Sequence, residues 1–417
     1  MSRQIEFTPE LEASVDRILS DVQKDGDRAV LAFTKEFDGV DLTPDQLVVD
    51  PEELAAAGRK ADPALLDVIR QAADNIRRFH DNQRKANWSV DDGDGVVLGK
   101  RIVPLERVGL LVPGASAPLF STLLMAAIPA KIAGVDHIAV ATPPQPDGDI
   151  HPSVLAAAHI AGVDRVYRAF GAQAVAALAY GTDTFLPVDK LVGPGHPVVQ
   201  IAKKRVFGRV DIDMVAGPSE IVVVADGTSN PRHIAADMLS QAEHGSGYEA
   251  AVCVTPDPDI AATVAEELDK QLADLSHREA AETALSRYGA IIVSDDLSQA
   301  VDIVNRIAPE HVELIVEDPW SLQEGIRHAG AIFMGAASSE PVGDYFAGTN
   351  HILPTAGAAR YASSVGVDTF LKDISLVSYT QERLQKTAGA IIQMAEAEGL
   401  DGHANAIRVR LQSPSES

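Results

Sequence analysis

The chain has 417 residues, room for two or three domains, with 46% hydrophobic, 23% charged and only 5% aromatic residues. That is the balance of a globular α/β protein rather than an all-β one. A formal net charge of −25 argues against a nucleic-acid partner, whose phosphates need Lys and Arg, and disfavours an anionic membrane surface.

The first residues, M-S-R-Q-I-E-F, carry no apolar signal segment, and no apolar run approaches the length of a membrane span. The expectation is a cytoplasmic protein that does not cross a membrane. Up to about residue 90, charged and apolar residues alternate at helical spacing, as in P-A-L-L-D-V-I-R-Q-A-A-D-N-I-R-R-F-H. This predicts a helix-rich segment. The cluster D-D-G-D-G after Trp88 lacks the spacing and closing Glu of a calcium loop and reads as a turn.

From Arg107 the texture changes. V-G-L-L-V, H-I-A-V-A-T and R-V-Y-R-A-F are short apolar strands separated by helical stretches, which implies crossover units and a parallel sheet over roughly 107–215. A second series resumes near residue 220 with E-I-V-V-V-A-D, E-A-A-V-C-V-T and G-A-I-I-V-S-D. The single cysteine, Cys253, sits in the second of these strands, cannot form an intramolecular disulfide and reads as a buried strand residue. Residues from about 370 read as helices. No intact G-x-G-x-x-G follows any strand; G-P-G-H-P-V at 193–198 keeps two glycines and is a weak signal that a plain strand-to-helix turn explains.

The polar residues gather in four places. The helix P-R-H-I-A-A-D-M-L-S-Q-A-E-H-G puts Gln241 and His244 about 60° apart on one side, with Glu243 turned about 160° from Gln241. Two groups alone do not make a metal site, and a histidine favoured by the helix dipole is the plainer reading. A-P-E-H-V-E-L sets Glu310 beside His311, a carboxylate and an imidazole suited to proton transfer. P-V-G-D-Y-F-A-G-T-N-H-I-L-P-T holds Asp344 and His351 in a long loop, and A-E-G-L-D-G-H holds Glu398 and His403 near the end.

Taken together and in order, these four motifs closely resemble the histidinol dehydrogenase family. V-P-G-A-S-A-P-L-F-S-T, G-A-Q-A-V-A-A-L-A-Y-G-T, V-D-K-L-V-G-P-G and A-G-P-S-E fit as well, so the similarity spans nearly the whole chain. The resemblance implies two Rossmann-like parallel-sheet domains lacking the usual dinucleotide fingerprint, with small helical N- and C-terminal segments. The division it suggests is residues 1–110 with 220–365, then 111–219, then a dimerisation segment at 366–417. It implies an enzyme of histidine biosynthesis, dependent on zinc (Zn2+) and NAD, that oxidises L-histidinol to L-histidine through an aldehyde-level intermediate. It further implies a homodimer with shared active sites. Matched motif by motif, Gln241, His244, Asp344 and a second subunit's His403 would hold the metal. Glu310 and His311 would move protons, and Ser219, His351 and Glu398 would contact substrate along with Gln241, His244, His311, Asp344 and His403.

The cofactor region departs from the family pattern. Leu111 stands where a tyrosine is usual, Ala115 where a second glycine is, and His196 where an asparagine is; the matching Gln173 is present. These positions predict an altered cofactor contact. Two rival readings stay open: a related zinc- and NAD-dependent dehydrogenase of another small polar alcohol, such as a sulfonated diol, and a non-catalytic zinc- or nucleotide-binding descendant.

Overall fold

The computed structural model describes residues 7–59, 61–114 and 117–412; Ala115 lies outside them. Four helices come first: α1 (Pro9–Asp25), α2 (Asp27–Asp38), α3 (Pro51–Ala56) and α4 (Pro63–His80). Three of them, α1, α3 and α4, open on a proline behind Thr8, Asp50 and Asp62, whose side chains accept from a first-turn N–H. Proline lacks a donor where the helix would leave one free, and the cap satisfies another. Strands β1 (Trp88–Asp91) and β2 (Val96–Pro104) form an antiparallel hairpin around the Asp/Gly turn.

The next nine elements are β3 (Arg107–Leu111), α5 (Phe120–Ala133), β4 (His137–Thr142), α6 (Pro152–Ala161), β5 (Arg165–Arg168), α7 (Ala172–Tyr180), β6 (Lys190–Val192), α8 (Pro197–Val206) and β7 (Asp211–Ile212). Their strands make an all-parallel sheet in the order β5-β4-β3-β6-β7.

A second parallel sheet follows, built from β8 (Glu220–Ala225), α9 (Pro231–Ala242), β9 (Ala250–Thr255), α10 (Pro258–Leu272), α11 (Arg278–Tyr288), β10 (Ala290–Val293), α12 (Leu297–Ile307), β11 (His311–Ile315), α13 (Pro319–Leu322) and β12 (Ala331–Met334). Its order is β10-β9-β8-β11-β12. Every residue of β8, β9 and β11 is buried, as expected of central parallel strands covered on both faces. Cys253 is fully buried in β9, and burial pushes its thiol up to about 12. The chain then passes α14 (Glu340–Val342), a wide helical turn at Gly343–Ala347, strand β13 (Leu371–Tyr379), α15 (Gln381–Ala397) and α16 (Asp401–Leu411).

The protein divides into two compact units. One holds the chain up to Arg84 and Leu105–Phe370, including both parallel sheets. Its N-terminal helices cover the first sheet: Val15, Ile18, Val30 and Phe33 share an apolar cluster with Leu111, Tyr167 and Leu178, and Ile69 and Ile76 share another with Leu123 and Ile138. The sequence division groups residues 1–110 with 220–365, whereas these cores join the N-terminal helices to β3–β7.

The other unit holds Lys85–Pro104 and the chain from Leu371 onward. Here β13 pairs antiparallel with β2 along nine residues, in the order β1-β2-β13, followed by α15 and α16. Residues 371–379 are therefore strand where the sequence predicts helix. Among the described residues, no helix is long and apolar enough to cross a membrane.

Candidate active site

In the first sheet the chain order reverses between β3 and β6. Open parallel sheets take ligands at such a reversal, outside the carboxyl ends of the strands. The loop leaving β6 there is tightly braced. Gly193 has φ +126°, and a Cβ on it would strike the Leu111 carbonyl oxygen, so only glycine lets the two strand ends approach this closely. Its N–H donates to Asp213 Oδ2 at 2.7 Å, and its carbonyl accepts from Lys203 Nζ at 2.8 Å. Lys203 and Asp213 pair with each other, their side chains 0% and 1% exposed. Gln200 donates to the Gly195 carbonyl at 3.2 Å and accepts from Ala216 N–H at 2.9 Å.

The three expected cofactor residues border this loop or the helix beside it. His196 occupies the N-cap position of α8 with its side chain exposed and unused in capping. Gln173, in the first turn of α7, is 1% exposed and its Oε1 has no partner. An orphaned, buried acceptor beside a helix N-terminus suits a ligand carrying hydroxyl or amide donors. Leu111 is fully enclosed in the apolar core, so it offers bulk where a tyrosine would offer a hydroxyl.

The second polar group forms at the amino ends of the other sheet's strands. His311 opens β11 and is pinned on both sides, paired with Ile221 of β8 and Ala331 of β12. Its Nδ1 lies 3.0 Å from Gln241 Oε1 and 3.2 Å from the Glu220 carbonyl oxygen. Both are acceptors, so Nδ1 carries the hydrogen and Nε2 keeps its lone pair. Nε2 is buried without a hydrogen-bond partner, 4.0 Å from Asp344 Oδ1. Burial pushes the imidazole down to about 3 against the raising effect of its bond to Glu220, leaving it neutral. Glu310 Oε2 accepts from Glu220 N–H at 3.1 Å and lies 3.7 Å from His311 Nδ1. Burial drives this carboxyl well above its ordinary range, and the nearby Glu340 and Asp344 charges add to the effect.

Gln241 ends α9, and its Nε2 lies 3.3 Å from His244 Nδ1 just past the helix. The two side chains meet as the helical spacing predicts. Gln241 and His244 sit at the negative end of α9, which favours a cation. Asp344 comes from the wide turn at Gly343–Ala347, whose Phe346 carbonyl accepts from Asn75 of α4 at 2.7 Å. The same turn is fixed from behind by His351, whose Nδ1 donates to the Asp344 carbonyl at 3.0 Å while Nε2 faces Thr122 Oγ1 at 3.1 Å. Ser219 immediately precedes β8 and is half-buried. Glu398 and His403 lie in the second unit, at the end of α15 and within α16, both exposed.

Buried acids beside this site that escape sequence reading include Glu313 and Glu340. Glu313 shares the His311 face of β11, since residues two apart in a strand point the same way, and Glu340 precedes Asp344 by one helical turn. Glu313 Oε1 accepts from Glu340 N–H at 2.6 Å. Glu313 also bonds Asp237, one turn before Gln241 on α9; burial and the Asp237 charge hold Glu313 protonated. The signal was available in A-P-E-H-V-E-L, where a second acid interrupts an apolar strand.

A ring nitrogen of His311 and carboxylate oxygens of Glu340 and Asp344 lie within 4.8 Å of one another. With the Gln241 amide and the His244 imidazole alongside, the site is rich in N and O donors, and an orphaned buried lone pair faces it. That chemistry fits a borderline metal such as zinc.

A family model described as histidinol dehydrogenase matches residues 1–411. A histidinol dehydrogenase from Synechococcus sp. is 51% identical over 402 residues, covering 96% of this chain and 92% of its own. One from Syntrophotalea carbinolica is 50% identical over 408 residues, covering 98% and 94%. The crystal structure of histidinol dehydrogenase from Elizabethkingia anophelis matches with a TM-score of 0.93 at 38% identity, covering 98% of this chain and 94% of that one.

Proposed function

Since the chain belongs to the histidinol dehydrogenase family, we propose that it oxidises L-histidinol to L-histidine in two NAD-linked steps at a zinc-dependent site. The observation that carries this reading is His311: a neutral imidazole, fixed on one nitrogen and free on the other, beside a carboxyl of raised pKa. A base that takes a hydroxyl proton needs that free lone pair.

Gln241, His244 and Asp344 would hold the zinc, with His403 supplied by the partner subunit. When bound, the metal would orient the substrate through its imidazole and amino nitrogens. Gln173, His196 and the loop at 193–196 would hold NAD, which when bound would supply the hydride acceptor. His311 Nε2 takes the alcohol proton as the carbinol hydrogen leaves, giving the aldehyde level. Glu310, as carboxylate, takes a proton from the water that adds to the aldehyde carbon. The hydrate would then lose its second hydride to a second NAD and one hydroxyl proton to solvent, leaving the carboxylic acid. His351 and Ser219 serve as substrate contacts, and Glu398 of the partner subunit completes the set.

The second unit supports pairing of two copies. Strands β1 and β13 are exposed along nearly their whole length, and Trp88, Val90, Leu98, Val377 and Met394 stand at the surface. An apolar surface of this kind is what a second copy covers.

The test is stoichiometry. Purified enzyme with zinc, excess NAD and limiting L-histidinol should yield two NADH per substrate and histidine as product. No turnover of histidinol alongside turnover of another small alcohol would overturn the reading.

A further inference from the structure

Three electron-rich groups meet at the proposed catalytic pair, one of them His311 itself. His311 is 3% exposed and Glu340 is 2% exposed. His311 Nε2 presents a lone pair with no partner, and its distance to Asp344 Oδ1 is 4.0 Å. A Glu340 carboxylate oxygen lies within 4.8 Å of a His311 ring nitrogen and of an Asp344 carboxylate oxygen. Glu340 is held from two directions: its own N–H donates to Glu313 Oε1 at 2.6 Å, and Ser240 Oγ donates to its Oε2 at 3.3 Å. One neutral hydroxyl is thin compensation for a buried carboxylate, which calls for a partner carrying N–H groups or positive charge.

Ligands of one tetrahedral zinc ion, each about 2.0–2.1 Å from the metal, stand roughly 3.3 Å apart, and acceptors around one amino nitrogen, each about 2.9 Å from it, roughly 4.7 Å apart. The 4.0 Å between His311 Nε2 and Asp344 Oδ1 lies between the two, so the roles already proposed for these groups decide the assignment. Asp344 has a proposed metal role and His311 a proposed proton role, which leaves Glu340 as the carboxylate without one.

We propose that Glu340 accepts a hydrogen bond from the substrate's amino group and is the residue that selects an amino alcohol over a plain one. The assignment rests on the histidinol reading and deepens it. An alcohol lacking the amine would bury Glu340 with nothing but Ser240 against it. Sites built around a polar substrate group reject analogues without that group far more strongly than apolar pockets reject a missing methylene.

The experiment compares L-histidinol with its des-amino analogue, imidazole propanol, by calorimetric binding to zinc-loaded enzyme without NAD. Wild type and Glu340→Gln are measured side by side, with zinc content by mass spectrometry. The expected result is unchanged zinc content and a preference for histidinol that falls by about tenfold or more in the variant. Glu340→Asp keeps the charge with a shorter reach and should retain an intermediate preference; should the Gln variant fail to fold, this variant decides. A preference equal to wild type in whichever variant folds overturns the proposal. So does loss of zinc from Glu340→Gln, which would make Glu340 a metal donor instead. A wild type that binds neither compound sinks the histidinol reading itself, whereas a wild type that binds histidinol with both variants unaltered sinks the Glu340 assignment alone.

Discussion

Gln241 Oε1 and His311 Nδ1 lie 3.0 Å apart, so a side chain proposed to hold metal also sets the tautomer of the side chain proposed to move protons. Helix α9 and strand β11 come from different crossover units, and this contact links their ends. The Glu313–Asp237 pair links the same two elements one step further from the site. Displacing either element would disturb metal and proton chemistry together.

The proton roles can be separated from the metal role. His311→Asn and Glu310→Gln keep size and hydrogen bonding while removing the base, and each should slow turnover by about 10²–10⁴-fold with zinc content near wild type. The two variants should differ in kind. Glu310→Gln should complete the first oxidation and accumulate the aldehyde level, seen as one rapid NADH per site. His311→Asn should be slow from the first hydride. Unaltered rates in both would remove these residues from the chemistry.

Metal-free protein should lose stability as pH rises. Burial, with the Asp344 charge behind it, pushes Glu340 from 4.5 up to about 8. The folded state thus binds this proton more tightly than the unfolded chain does, and stability falls as pH climbs through that window. Melting temperatures of the zinc-free enzyme at pH 5, 6.5 and 8 should decline, and Glu340→Gln should flatten the slope. An equally steep decline in the variant would assign the effect to other groups.

The buried Lys203–Asp213 pair grips both polar atoms of Gly193, the residue at the base of the proposed cofactor loop. Lys203→Met leaves Asp213 buried without its cation and should cost about 3–5 kcal/mol in unfolding free energy. Because the loop borders the proposed nucleotide site rather than the proposed zinc site, KM for NAD should rise well above any change in KM for histidinol. Equal changes in both would mean that the pair supports the unit as a whole.

Much of this arrangement could be read from the chain. Apolar runs such as E-I-V-V-V-A mark buried parallel strands unambiguously, and the spacing of Gln241 and His244 alone places them together. Other parts were hidden for physical reasons. Strand β6 has three residues and β7 two, too few to show any period. Strand β13 is exposed on nearly every residue and pairs with β2, its partner lying hundreds of positions earlier; no local apolar pattern announces it, and the helices after it set the tone of the region. Glu313 and Glu340 do not stand out in the chain, because an acid in a polar motif reads as solvated until its burial is known. Glu310 and His311 are legible as adjacent residues of one motif, while their 3.7 Å contact is visible only in the fold.

Subunit exchange is open to a decisive mixing experiment. Glu398 and His403 sit exposed on the second unit, and the proposed site draws both from the other copy. His244→Ala and His403→Ala enzymes should each be inactive and depleted of zinc. Mixed under conditions that exchange subunits, a heterodimer carries one site with both defects and one site with neither. The intact site takes His244 from one chain and His403 from the other. Random pairing makes about half the dimers mixed, so activity should recover to about a quarter of wild type. Zinc content should rise in step with it, a readout independent of turnover. If His403 instead served its own chain, every site would keep one defect, and mixing would restore nothing.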